Sequence, residues 1–149
     1  MKSSAARLSG AAVLSFLLAP TPVPAAAPAG RYTASGGVVK DNKTGLYWQQ
    51  TAAPMTYTLA SAMTYCSGNA AALPGTGWRL PAVKELATLI DDSVASPGPT
   101  IDASAFPATP ASVFWSSTPA TPPPFTWGVN FLSGEVSAVD GMLNVRCVR

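Results

Sequence analysis

The sequence has no histidine, only two cysteines, and charged side chains at 11% of its 149 residues. Each scarcity excludes a class of chemistry. Without histidine there is no Ser/His/Asp triad, and Lys40, Lys43 and Lys84 have no motif that sets one beside a serine as a base. Without histidine or a CxxC pair, zinc is a poor fit. The spacing of Glu85, Asp91, Asp92, Asp102, Glu135 and Asp140 does not argue for the paired carboxylates of a glycoside hydrolase. The chain has no glycine-rich phosphate loop and no basic run interleaved with aromatics. The reading is therefore not an enzyme, with no cofactor and no nucleic-acid partner.

A membrane-spanning run is lacking too. The opening residues carry Lys2 and Arg7, then an apolar stretch from Ala11 to Ala19, well short of the roughly 20 residues that a spanning helix needs. The stretch breaks at Pro20 and leads into small residues, the pattern of a cleaved export signal. Cleavage after Ala25 or after Ala29 satisfies the small-residue rule, so residues 1–29 are assigned to a signal peptide. No cysteine follows the apolar run, which argues against a lipid anchor. The expected location is the periplasm or the outside of the cell, with no membrane span left after cleavage. The formal charge of +2 rests on Lys2 and Arg7; without them seven basic side chains face seven acidic ones. The basic balance of the precursor thus says nothing about anionic partners.

In that compartment the pair Cys66 and Cys147 reads first as a disulfide, with two free thiols as the alternative. The closed loop of about 80 residues would contribute roughly 4 kcal/mol on the chain-entropy model.

After a flexible lead over 30–37, Val38 to Gln50 reads as a hairpin turning at Asn42-Lys43-Thr44-Gly45. Leu59, Ala62, Met63 and Cys66 repeat at helical spacing behind Thr58 as N-cap, and Ser67-Gly68-Asn69 stops the helix. In "GWRLPAVKELATLID" (77–91), a short extended segment reaches Pro81, and Val83, Leu86, Ala87 and Ile90 follow at helical spacing. Asp91 and Asp92 oppose the helix dipole unless they lie past its last turn, or hold a cation together with Asp102. From Ser93 to Phe125 eight prolines predict a long, surface-running loop region around one short strand, Val113 to Thr118. Such loops often bind ligands. A β-meander closes the chain: Thr126 to Leu132, Glu135 to Val139, and Met142 to Arg149, joined by Ser133-Gly134 and Asp140-Gly141 turns.

In this order the motifs resemble the Lcl C-terminal domain family, the module that ends collagen-like bacterial adhesins and recurs in short exported bacterial proteins. Asp41, Thr44, Gly45, Leu46 and Trp48 match its first motif. Trp78, Arg79, Leu80, Pro81, Lys84, Glu85 and Leu86 match the second, and Phe114, Trp115, Ser116, Ser117 and Thr118 the third. Val145, Arg146, Cys147 and Arg149 match the last. Ala82 stands where the family usually has Thr or Ser, which weakens the cap of the second helix. The resemblance covers 38–149 and implies an α+β, C-type lectin-like fold: two helices, a small antiparallel sheet, a long proline-rich loop region, and a disulfide from the first helix to the last strand. "GWRLPAVKELATLID" is then scaffold. The formylglycine-generating relatives of that fold use paired cysteines, which the disulfide would occupy here.

The family's adhesins are associated with sulfated glycans and attachment, so the expected activity is recognition of carbohydrate or another envelope ligand. The alternative is a structural or protein-interaction module of the envelope. Candidate ligand-binding residues are Trp115 and Trp127, which could stack on sugars, and Arg79, Arg146 and Arg149, which could gather charge. A core role for the tryptophans, and carboxylate partners for Arg79 and Arg146 inside the fold, are the competing readings. The calcium-ligand motifs of sugar-binding C-type lectins are absent. Among candidate surfaces the loop region from Ser93 to Phe125 comes first.

Overall fold

The structure, a computed structural model, describes residues 27–149; the leader up to Ala26, with the cleavage point after Ala25, lies outside them. It is an α+β arrangement of two short helices and two three-stranded antiparallel sheets, where one small sheet was expected.

The first sheet contains β1 (Tyr32–Ser35), β2 (Val38–Asp41) and β3 (Tyr47–Gln49) in that order. β2 and β3 form the expected hairpin, with Gly45 at φ +78° where the turn requires a left-handed residue. β1 is a correction: its residues were assigned to the flexible lead, yet all four pair with β2. Alternation sends Val39, Asp41 and Trp48 into the core.

Helix α1 (Leu59–Ser67) starts at Thr58, whose hydroxyl accepts from the Ser61 N–H at 3.4 Å. Ala62 and Cys66 are buried, but Met63 is 45% exposed rather than on the inner face. Cys66 is bonded to Cys147, with 5.4 Å between their Cα atoms. Helix α2 is short (Val83–Ala87), so Ile90, Asp91 and Asp92 fall beyond it. Val83 and Leu86 point from α2 into the larger core cluster, between β2–β3 and the second sheet.

The second sheet contains β4 (Val113–Pro119), β5 (Thr126–Asn130) and β6 (Glu135–Val139). The meander holds for two of its three strands. The last segment leaves β6 and runs back between β3 and the Trp78–Leu80 stretch. Gln49 N–H donates to the Cys147 carbonyl, and Arg79 and Val148 exchange both backbone bonds, all at 2.9 Å. Four successive residues, Val145 to Val148, are buried. A segment buried on both sides suits the middle of the molecule, not the edge of a half-exposed meander.

The proline-rich stretch is also corrected in part. It contributes Ile101, Ala105, Phe106 and Phe114 to the core. Prolines disrupt hydrogen-bond ladders, but they do not prevent neighbouring apolar side chains from packing. Its exposed tip is Thr121–Phe125.

Candidate functional site

The five candidate residues are not brought together. Trp115 is 1% exposed, and its indole N–H donates to the Tyr57 carbonyl at 2.7 Å. Neither ring face is open to a sugar. Arg146 is wholly buried and meets no carboxylate among the described residues, which corrects the expected internal pairing. Its guanidinium lies 4.6 Å from the Phe106 ring centre and 5.8 Å from that of Phe114, and Nη2 donates to Thr109 Oγ1 at 2.9 Å. Burial without a counter-charge pushes its pKa down to about 9. Arg79 has the partner expected of it: it forks onto Glu85 at 2.7 and 2.6 Å. Trp127 sits on β5, 38% exposed. Arg149 borders a cleft.

Asp91, Asp92 and Asp102 do not form a cation site. Asp102 is 5% exposed and turned onto its own loop. Burial pushes its carboxyl up, but bonds from the Ser104 hydroxyl and from the Ser104, Ala105 and Ala27 N–H groups outweigh it and hold the pKa below the usual range. Asp91 accepts from the Ser93 N–H and hydroxyl. Among the described residues no group of three or more metal-ligating side chains comes together, and no helix is long and apolar enough to cross a membrane.

The cleft beside Arg149 has a volume of about 250 Å³ and is lined by Thr33, Ser35, Val38, Lys40, Tyr47, Pro74 and Arg149. Strand register builds it. Thr33 stands opposite Lys40, and Lys40 opposite Tyr47. Tyr47 exchanges both backbone bonds with Arg149 at 2.9 Å. Four segments thus place a hydroxyl, an ammonium, a phenol and a guanidinium in one cross-strand row. Ser35 and Val38 form the next row.

The Arg149 guanidinium lies 4.3 Å from the Tyr47 ring centre and 5.6 Å from that of Trp78, while the Lys40 ammonium is 5.8 Å from the Tyr47 ring. These contacts hold two cations beside one aromatic ring. Gly75, at φ +86°, permits the arrangement: a Cβ there would come within 2.8 Å of Arg149 Cζ. Arg149 Nε is buried without a hydrogen-bond partner among the described residues. Among the described residues no Asp or Glu side chain lines the cleft. Its chemistry is therefore two positive charges, two aliphatic hydroxyls and a phenol against an apolar wall, which suits a polyhydroxylated ligand carrying acidic groups.

Of this row, sequence reasoning found only Arg149. Little in the sequence signalled the rest: strand alternation sets Thr33, Lys40 and Tyr47 on one face only once β1 is recognised as a strand and its register with β2 and β3 is known.

Comparison with known proteins identifies the Lcl C-terminal domain over residues 37–149. No curated protein and no solved structure matches the chain.

Proposed function

The chain belongs to the Lcl C-terminal domain family, and on that premise we propose that it is an exported, non-catalytic binding domain that recognises acidic carbohydrate. The observation that carries this reading is the Thr33–Lys40–Tyr47–Arg149 row, with its two cations, its hydroxyls and, among the described residues, no Asp or Glu side chain in the lining. Sulfate or carboxylate groups would meet Lys40 and Arg149, and sugar hydroxyls would meet Thr33 and Ser35. The association of the family's adhesins with sulfated glycans supports the same ligand class. The mature protein needs no large net charge for this, since the positive charge is local.

The fold is read as C-type lectin-like. Two helices, the Cys66–Cys147 bond and a terminal segment returning to β3 support that reading. The disulfide and the lack of a spanning helix among the described residues are compatible with export.

A glycan array that includes heparin, run at low and physiological salt, tests the proposal. Acidic glycans should bind, and binding should weaken with salt. Lys40→Gln and Arg149→Gln should each weaken it further, while replacing Pro122 to Phe125 by Gly-Ser should leave it intact. Salt-insensitive binding that disappears with the loop replacement would move the site to the proline-rich tip. A blank array would favour a structural or protein-interaction module of the envelope.

A further inference from the structure

A second surface, independent of the glycan reading, lies on the opposite sheet. β6 is its edge strand. The ladder between β5 and β6 runs through five pairs, from Thr126↔Val139 to Asn130↔Glu135, without a bulge. The direction of the free backbone groups follows from the neighbouring strand. The Val113 carbonyl and the Trp115 N–H of β4 turn away from β5 to bond with Asn144, at 3.1 and 3.0 Å. Their β5 partners Asn130 and Gly128 must then turn toward β6, onto Glu135 and Ser137. Val136 and Ala138 are left with N–H and C=O pointing out of the sheet. Among the described residues no other element bonds to them.

An open, regular edge of this kind is a template for another strand, and folded proteins usually blunt it with lysine, proline, a bulge or a covering loop. Among the described residues β6 has none of these. Its sequence is Glu-Val-Ser-Ala-Val. Val136 is 40% exposed, and Trp127, directly opposite Ala138 on the ladder, is 38% exposed, so the apolar side of the edge is also open. Between Ser133 and Gly141 the only charges are Glu135 and Asp140, one at each end of the strand. They select the occupant. A second copy paired antiparallel about Ser137 would set Glu135 opposite Val139 and bring Asp140 of the copy to the same end, so that two like charges gather at each end of the pairing. A strand with cations at its ends would meet both carboxylates favourably.

We propose that β6 is a docking edge for an extended peptide segment of a partner protein, one with small or β-branched residues between terminal lysines or arginines. Backbone bonds to Val136 and Ala138 would supply the affinity, and Glu135 and Asp140 the choice of partner.

The test uses the full chain, isotopically labelled for NMR, and a short synthetic peptide of alternating threonine and valine with a lysine at each end. A glutamate-ended counterpart is the control. The lysine-ended peptide should slow amide exchange of Val136 and Ala138 by about tenfold or more and bind about tenfold more tightly than the control. Ala138→Pro removes one outward N–H without breaking the β5 ladder, so it should abolish binding and keep the parent's thermal melt. Should that variant unfold, Glu135→Lys with Asp140→Lys decides instead, by reversing the preference between the two peptides. The proposal is overturned if neither peptide protects these amides, or if Ala138→Pro binds as the parent does. It is equally overturned if the charge-reversed variant keeps the parent's preference, or if the amides become protected with rising protein concentration alone, which would assign the edge to a second copy.

Discussion

The Thr118 hydroxyl accepts a hydrogen bond from the Val83 backbone N–H at 3.0 Å. Helix α2 therefore receives from β4 a cap that Ala82, with no side-chain oxygen, cannot give. Glu85 completes the arrangement by accepting from the Ala82 N–H at 2.8 Å. The neighbouring Ser117 hydroxyl and N–H both donate to the Pro81 carbonyl. The "WRLP" and "FWSST" motifs are thus two halves of one junction. Thr118→Val keeps the shape and removes the acceptor, so it should cost about 1 kcal/mol in chemical denaturation. Ala82→Ser supplies a local cap and should recover part of that loss in the double variant; a double variant no more stable than Thr118→Val would argue against this account.

Arg79 and Glu85 give a pH dependence of definite sign. The Arg79 hydrogen bonds hold the Glu85 carboxyl below its usual range, against the opposing effect of burial. A depressed folded-state pKa means that the contribution is present above the unfolded value and is lost as pH falls through the folded one. Melts of the parent between pH 6 and pH 3 should therefore fall more steeply than those of Glu85→Gln. The pair is partly solvent-exposed, so the effect should be small and weaken in high salt. Parallel curves for the two proteins would remove the pair from the account.

The Cys66–Cys147 bond links α1 to the terminal segment across 81 positions. Replacing both by alanine should lower stability by about 2–5 kcal/mol. Intact mass with and without reductant provides an independent check: alkylation of two thiols without reductant would contradict the bond.

Much of this was legible because it is local. Thr58, Gly45 and the Ser133-Gly134 turn act through their own neighbours, and each performs the role read from its type. The failures share another cause. Tyr32 to Ser35 look like a polar lead, since a largely exposed edge strand has no apolar pattern to announce it. Ile101 and Phe106 were hidden among prolines, which predict broken ladders but say nothing about burial. Val145, Arg146 and Cys147 alternate as a surface strand would, although both faces are covered. The cleft was the hardest to foresee. It needs the register of β1, β2, β3 and the terminal segment at once, and only Arg149 stood out beforehand.

Arg146 poses a choice between two energies of similar size. Burying a guanidinium without a carboxylate costs several kcal/mol. The Phe106 and Phe114 rings and the Thr109 hydroxyl recover part of that. The Thr109 hydroxyl also donates to the Phe106 carbonyl at 2.8 Å, so it keeps a partner when the arginine is removed. Arg146→Met preserves most of the volume and removes the buried charge. It should change stability by no more than about 1 kcal/mol at pH 7, whereas Arg146→Ala, which opens a void between two rings, should cost about 2–5 kcal/mol. The pH dependence separates the causes. A lowered folded-state pKa in a base means that the unfolded chain holds the extra proton, so this residue's share of stability should rise as pH passes above about 9. Comparing Arg146→Met with the parent from pH 7 to pH 10 should show the parent gaining on the variant. If the parent instead falls away from the variant over that range, the buried charge stabilises the fold and this reading of Arg146 is lost.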